Sequence, residues 1–226
     1  MKTFLIFSAL IPLLISCASK KYDSDFSSEY KSRPTLSLSL TTGSEPLTEA
    51  AIHKLLSSKV SLPKKIQLAI VRITDSKDAL AFQTIDKEIG EKFYDKSNWG
   101  PRVRSVVPVP QVVVATPVTL SGLRQTSALL QADALLIIKP VSYSDWKFKW
   151  FAEDKAKAIT SLEVLLLDTR TGVIPYTAIV TETAEIEDSK EDYSKSELTA
   201  RAQKASENKA LMQIGPGVKQ FIAEVL

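Results

Sequence analysis

The chain is poor in the residues that build disulfides and zinc sites. Its 226 residues include one cysteine, one histidine and seven glycines. A single cysteine cannot form an internal disulfide, and a zinc site needs several cysteine or histidine ligands. The only histidine, His53, stands beside Lys54 with no second strong ligand at metal-binding spacing. We therefore predict no metal site and interpret His53 as a surface or partly packed residue.

Motifs for catalysis and for nucleic-acid binding are also missing. The sequence has no Gly-x-Ser-x-Gly turn and no phosphate-binding glycine loop. Basic residues number 29 against 26 acidic ones, and no sustained basic stripe supports nucleic-acid binding. The carboxylates of Asp133 and Asp168 are predicted at strand ends, where the first bonds at a helix–strand joint and the second shapes a turn. We predict no enzyme activity, no cofactor and no small-molecule substrate.

The first 16 residues have the layout of an export signal. Lys2 supplies a positive charge, and an apolar run over residues 4–15 is interrupted by Pro12. The run is shorter than the roughly 20 apolar residues of a membrane-spanning helix. Leu14-Ile15-Ser16-Cys17 then resembles the lipobox of bacterial lipoproteins. The resemblance implies cleavage before Cys17, diacylglycerol on its thiol, and acylation of the new amino group with a chain such as palmitate.

The residues after Cys17 are predicted to be a tether. Stable anchoring takes two or more acyl chains, which a lipoprotein cysteine carries. Residues 17–45 are polar and serine-rich, so they cannot bury enough apolar surface to fold alone, and we interpret them as a lipidated flexible segment. Position 18 is alanine rather than aspartate. By resemblance to enteric lipoproteins, this implies the outer membrane, with the domain facing the periplasm.

Residues 46–226 are predicted to form a single mixed α/β domain. Apolar spacing predicts helices over residues 47–58, 120–131 and 194–212, and less clearly over 76–94. Thr119 caps the second of these, and Gly215-Pro216-Gly217 is predicted to end the last. Strands are predicted over residues 66–73, 103–109, 133–140, 158–168 and 173–185. The fold class is α/β with an α+β-like character: a mixed sheet of about five strands flanked by helices.

The most unusual stretch alternates aromatic residues with lysines. It comprises Trp146, Lys147, Phe148, Lys149 and Trp150. On a strand, this pattern places three rings on one face and two charges on the other. One interpretation is an edge strand whose rings cover the core while the lysines protect the edge. The other is an exposed patch for a protein partner or a membrane surface. Both stay open, and the segment is the candidate partner-binding site.

Two segments resemble a known exported superfamily. Residues 130–137 pass from a helix through Ala132-Asp133 into an apolar strand, Ser142-Tyr143 follows, and residues 165–172 end in Asp168-Thr169-Arg170-Thr171-Gly172. The superfamily includes the curli secretion lipoprotein, the lipoprotein activator of penicillin-binding protein 1B, and the N-terminal domain of TolB, the β-propeller protein of the Tol system. The resemblance covers roughly Ile66 to Leu226 and implies a fold and an envelope compartment. It implies function weakly, because the members differ in activity.

Two functions are compatible with these features. The first is a membrane-anchored lipoprotein whose periplasmic domain is a non-catalytic binding or regulatory module for another envelope protein. The second is an oligomeric secretion or pore component similar to the curli secretion lipoprotein. Pore strands need roughly 9–11 residues each, paired in hairpins. The segment between a strand ending at Pro140 and one starting at Ala158 is too short for that. The segment from Thr74 to Gly100 is long enough, but its charges and helical spacing fit poorly, so we rank the pore second.

Overall fold

The computed structural model describes residues 48–73, 90, 93–147, 155–187 and 194–224. These residues form a five-stranded mixed sheet with three helices, which confirms the predicted fold class. The helices are α1 (Glu49–Ser57), α2 (Leu120–Leu129) and α3 (Lys195–Glu224). The strands are β1 (Ile66–Arg72), β2 (Val103–Pro108), β3 (Ala134–Lys147), β4 (Lys155–Asp168) and β5 (Tyr176–Glu187). The helix predicted over residues 76–94 lies almost entirely outside the described residues.

The sheet is wide at one end and narrow at the other. Its strand order is β2-β1-β3-β4-β5, with β2, β1 and β3 parallel and β3, β4 and β5 antiparallel. β1 ends at Arg72, opposite Ile138, whereas β3 continues to Lys147. We call the wide part the proximal half. The narrow part, made of residues 139–147, 155–163 and 179–187, is the distal half.

Apolar side chains cover both faces of the proximal half. The face that packs on α3 is lined by buried residues of β1, β3 and β4, among them Leu68, Ile70, Leu136, Val164 and Leu166. The other face packs on Leu123 of α2. The sheet residues of this second cluster are Ala69, Val71, Leu135, Ile137 and Leu167. Because both faces are covered, the central strands read as continuous apolar runs rather than as alternating ones.

The prediction that the strand after Asp133 ends at Pro140 is wrong. The Ile73 N–H donates to the Ile138 carbonyl at 2.8 Å, so the backbone groups of Ile138 point toward β1. Two residues later, Pro140 points the same way, beyond the end of β1. Its missing N–H therefore removes no hydrogen bond to β1, and a proline is tolerated there as on an edge strand. β3 and β4 are 14 residues each, so the argument that this segment is too short for a pore hairpin is also wrong.

The predicted break at Gly215-Pro216-Gly217 is also wrong, because α3 runs through it to Glu224. A proline inside a helix costs about 3 kcal/mol. On the same helix Ile214, Val218 and Ile222 are all buried against the sheet. Burying each such side chain contributes roughly 1.5–3 kcal/mol, so continuing the helix is favoured over ending it.

The predicted cap of α2 is confirmed. The Thr119 hydroxyl accepts a hydrogen bond from the Gly122 N–H at 3.0 Å, which satisfies one of the donors at the helix start. The helix ends at Leu129, slightly before the predicted end, and Gln131 takes a left-handed φ of 55°. The predicted hairpin after Asp168 is confirmed too, with Gly172 at a φ of 78° in its turn.

Candidate partner-binding edge

The aromatic–lysine segment begins at the tip of the β3–β4 hairpin. Trp146 and Lys147 are the last residues of β3 and pair with Ala156 and Lys155. Ala156 is buried in a small cluster with Leu198, Ala202 and Ala158. Phe148, Lys149 and Trp150 lie outside the described residues, as does Cys17. The choice between a core strand and an exposed patch therefore stays a prediction.

In the distal half, one side of β3 has no strand neighbour among the described residues. The backbone groups of Ile138 face β1, and by the two-residue period those of Ser142, Ser144 and Trp146 face the same side. β1 has already ended there. The distal part of β3 thus presents backbone donors and acceptors to which an extended segment of another chain can add as a strand.

Hydroxyl groups hold this part of β3 against α3. Ser142 Oγ lies 2.9 Å from Thr160 Oγ1, which lies 2.6 Å from Ser206 Oγ on the helix. One turn away, the Gln203 amide donates to Ser144 Oγ at 2.9 Å. Each such bond contributes about 0.5–1.5 kcal/mol. Because a hydrogen bond is directional, it forms only when β3 and α3 are correctly aligned. The network therefore adds directional bonds that fix the position of β3 on α3.

A buried ion pair sits where β1 ends. Arg72 Nε and Nη2 each donate to one carboxylate oxygen of Glu207 at 2.7 Å. Both residues are over nine-tenths buried, and this bidentate geometry is the strongest form of such a pair. Burial raises the pKa of the nearby Tyr94 hydroxyl, and the Arg72 charge opposes that shift. The pair therefore joins the end of β1 to the middle of α3.

A second buried charge pair lies on the opposite face of the sheet at nearly the same level. Lys139 on β3 is the cross-strand neighbour of Glu163 on β4, and their exposures are 5% and 2%. Burial raises the pKa of the Glu163 carboxyl, and the Lys139 charge lowers it by less. Glu163 Oε1 accepts no hydrogen bond from the described part of the chain. This carboxylate is therefore held in an unfavourable environment.

The tip of the hairpin carries charges of both signs. Lys155 on β4 bonds to Glu187 on the neighbouring β5, and its amine lies 3.5 Å from Glu185. The hydrogen bond to Glu187 raises the pKa of Lys155. These side chains are largely exposed, so they contribute little to stability. Their alternation matters more as protection of the strand end against random pairing.

The two strand-end carboxylates have the structural roles predicted from the sequence. Asp133 accepts from the Gln67 N–H at 2.9 Å and from Arg170 at 3.1 Å, with Arg104 at 3.9 Å. It therefore joins the start of β3 to β1. The paired charges explain how this carboxylate can be only 7% exposed.

Asp168 organises the turn between β4 and β5. Its side chain accepts from the Arg170 N–H at 2.9 Å and from the Thr171 hydroxyl at 2.8 Å. It also accepts from the Ser61 N–H at 2.7 Å, which ties the segment before β1 to this turn. The carboxylate is fully buried and multiply bonded. Its role is therefore to hold structure.

Metal ligation finds no support in the described part of the chain. His53 lies on the exposed surface of α1, and the described residues contain no cluster of three or more potential metal ligands. Within the same residues, no helix combines the length and the apolar character needed to cross a membrane.

The buried charges were missed from the sequence, although a signal was present. Arg72, Lys139 and Glu163 each stand inside or at the end of an otherwise apolar strand. A charge in such a run is buried unless the strand ends there. The partner of Arg72 could not be found in this way, because Glu207 lies 135 positions away.

Comparisons with known proteins give fold-level similarity only. No protein-family model matches the chain, and no curated protein matches its sequence. Similar solved structures include a candidate lipoprotein of Caulobacter crescentus, at 9% identity over 70% of this chain and 92% of that chain, with a TM-score of 0.39. The hypothetical protein CT253 of Chlamydia trachomatis is 11% identical over 70% and 98% of the two chains, with a TM-score of 0.42.

A minor lipoprotein of Acinetobacter baumannii is 8% identical over 68% of this chain and 92% of that chain, with a TM-score of 0.35. At these identities and TM-scores the similarities carry no argument about function. Membership of the superfamily that the sequence resembles therefore stays a prediction.

Proposed function

We propose that the protein is a lipid-anchored bacterial envelope protein whose domain binds another envelope protein without catalysing a reaction. The lipobox resemblance at residues 14–17 supports the anchor. One structural observation supports the binding role. β3 extends beyond β1 to Lys147, so its outer backbone groups meet no strand of the described residues, and the aromatic–lysine segment follows directly.

The proposed mode of binding is strand addition. An extended segment of the partner pairs with the free side of distal β3, and main-chain hydrogen bonds supply affinity. The hydroxyl network links β3 and β4 to α3, and the Arg72–Glu207 pair fixes the neighbouring β1 on the same helix. Ordering β3 before the partner arrives lowers the entropy lost on binding. The aromatic residues that the sequence places at positions 146, 148 and 150 are the proposed side-chain anchors for the same partner.

The lipid anchor is tested by metabolic labelling with an alkyne analogue of palmitate. The wild-type protein is expected to take up label and to fractionate with membranes, whereas Cys17→Ser takes up none. Labelling of Cys17→Ser at the wild-type level would contradict the anchor, whatever the outcome of the binding experiment.

The binding mode is tested with a proline on the free edge. Ser144→Pro removes an N–H that points away from β4, so the fold tolerates it as it tolerates Pro140, and partner pairing is blocked. Ser144→Ala is the matched control, because it loses the same bond to Gln203 and keeps the N–H. The readout is in-cell photo-crosslinking from position 143.

Wild type and Ser144→Ala are expected to crosslink to one envelope protein at similar yield, and Ser144→Pro to lose most of it. Both variants should have similar melting temperatures. An undiminished crosslink in folded Ser144→Pro would contradict strand addition. A crosslink between two copies of this chain would instead support the oligomeric component.

A further inference from the structure

We infer that α1 and the basic residues after it rest on the surface of the anionic membrane that holds the lipid anchor. The inference rests on the proposed anchor and adds a second contact between this domain and the bilayer. It concerns the end of the sheet away from the distal half, where the protein partner is proposed to bind.

The first observation is an amphipathic helix that is not packed into the core. No residue of α1 is buried. Its large apolar side chains Ile52, Leu55 and Leu56 are 42%, 37% and 80% exposed. At 100° per residue they fall within one stripe of about 100°, which is the geometry of a helix that places one side in an apolar phase. Among the described residues, none of these three side chains belongs to a buried apolar cluster.

The second observation is the charge around that stripe. From Thr48 to Lys65 the chain has one acidic residue, Glu49, and four lysines. The lysines are all exposed: Lys54, Lys59, Lys64 and Lys65. Apolar residues on one side of a short helix, with lysines beside them, are typical of segments that lie in the interface of an anionic membrane. Each lysine near such a surface adds to the attraction.

The third observation is that the neighbouring surface has the same character. The Ser61 N–H bonds to Asp168, so the segment after α1 is attached to the turn that carries Arg170. The Arg170 and Arg104 side chains are 62% and 53% exposed beside Asp133. Leu129, which ends α2 close to the same end of the sheet, is 82% exposed. Exposed apolar and basic side chains are thus gathered at one end.

The length of chain between the anchor and α1 makes even a weak contact effective. Thr48 lies 31 positions after Cys17. If residues 17–45 are the tether that the sequence predicts, a chain of that length spans roughly 30 Å on average, and α1 would stay within reach of the bilayer. A contact too weak to hold a free protein is then strongly populated, because it forms within one tethered molecule.

The test uses the lipidated full chain, in which an added cysteine is the only free thiol. Leu56→Cys and, as the matched exposed control, Ile179→Cys on β5 are labelled with an environment-sensitive fluorophore. Each protein is placed in vesicles of phosphatidylcholine alone or of equal parts phosphatidylcholine and phosphatidylglycerol. Quenching by an aqueous collisional quencher is then measured at both positions.

With phosphatidylglycerol, position 56 is expected to be quenched at least about threefold less than position 179, with a blue-shifted emission. Lys64→Glu combined with Lys65→Glu should remove most of that protection. The matched charge change in the distal half, Lys157→Glu with Lys209→Glu, should leave it intact. Equal quenching at positions 56 and 179 would overturn the inference. Quenching at position 56 that stays low without phosphatidylglycerol and in the lysine variants would also overturn it, because another part of the protein would then cover the helix.

Failure of the anchor is recognised separately. A chain without an added cysteine takes up fluorophore only if Cys17 is free, and an unanchored protein does not float with the vesicles. Vesicle flotation with equal quenching would leave the anchor standing and reject the contact made by α1. Labelled Cys17 without flotation would reject the anchor itself, and with it the inference.

Discussion

The proximal and distal halves of the sheet pack on the same helix by different means. In the proximal half, apolar residues such as Leu136 and Leu166 meet Ile214 and Val218 of α3. Where β1 ends, at the boundary between the halves, Glu207 of α3 pairs with Arg72. In the distal half the Ser206 hydroxyl of α3 meets Thr160 of β4. A small buried apolar cluster around Ala202 packs α3 on the far end of the distal half.

The two kinds of packing have different effects: one stabilises the fold, and the other fixes the position of β3 relative to α3. Apolar contact is non-directional and scales with the area removed from water, so the proximal half supplies most of the folding free energy. A buried ion pair adds little net stability, but removing one partner leaves an uncompensated charge. The distal half therefore keeps β3 aligned on α3 with little apolar area. This is what a strand needs if another chain is to pair with it.

The largest effect is expected in the proximal core. Leu136→Ala removes a fully buried side chain and should lower the free energy of unfolding by about 4 kcal/mol. Ile179→Ala, at a position 53% exposed on β5, is the control and should change it by less than about 0.5 kcal/mol. Urea denaturation measures both. A loss below about 1 kcal/mol for Leu136→Ala would refute the division into halves.

The next effect tests whether the Arg72–Glu207 ion pair sets register rather than stability. Glu207→Ala leaves the Arg72 charge buried without its carboxylate and should destabilise the fold by about 3 kcal/mol. Replacing both, Arg72→Met with Glu207→Met, should recover most of that loss. The same double variant should lose partner crosslinking from position 143 if the pair holds β3 in place. A double variant no more stable than Glu207→Ala would show that the pair itself stabilises the fold.

The smallest effect is a pH dependence at Glu163. Burial raises its pKa in the folded state above the ordinary value of 4.5, so the folded protein binds the proton more tightly than the unfolded chain. Its contribution to stability is present below pH 4.5 and is lost as pH rises through the folded-state pKa. Glu163→Gln should therefore gain stability relative to wild type over that range. The control is the exposed Glu185→Gln, and thermal melts at several pH values measure the difference.

Local pattern was sufficient to predict most elements of this fold. The apolar run from Ala134 to Ile138 predicts a buried strand, and Thr119 predicts the start of α2. Proline was the main source of error. Pro140 and Pro216 were both predicted to end an element, and neither does. In each position the neighbours decide: β1 has ended beside Pro140, and the helix face around Pro216 stays buried.

The candidate site was found only in part. The aromatic alternation at residues 146–150 draws attention to the segment that begins at the end of β3. No local pattern shows that β3 extends beyond the end of β1. The free edge depends on where a different strand stops, which is a property of the sheet rather than of the segment.

The sequence by itself determined the candidate lipid site at Cys17, the α/β class and the structural roles of Asp133 and Asp168. These depend on short motifs and on apolar periodicity, which are read within a few neighbouring residues. Tertiary structure alone decided that distal β3 has no strand beside its outer side among the described residues. It also decided the pairing of Arg72 with Glu207 and the continuation of α3 through Pro216. Each depends on residues far apart in the chain, whose burial sets the free energy only once the sheet and helix have packed.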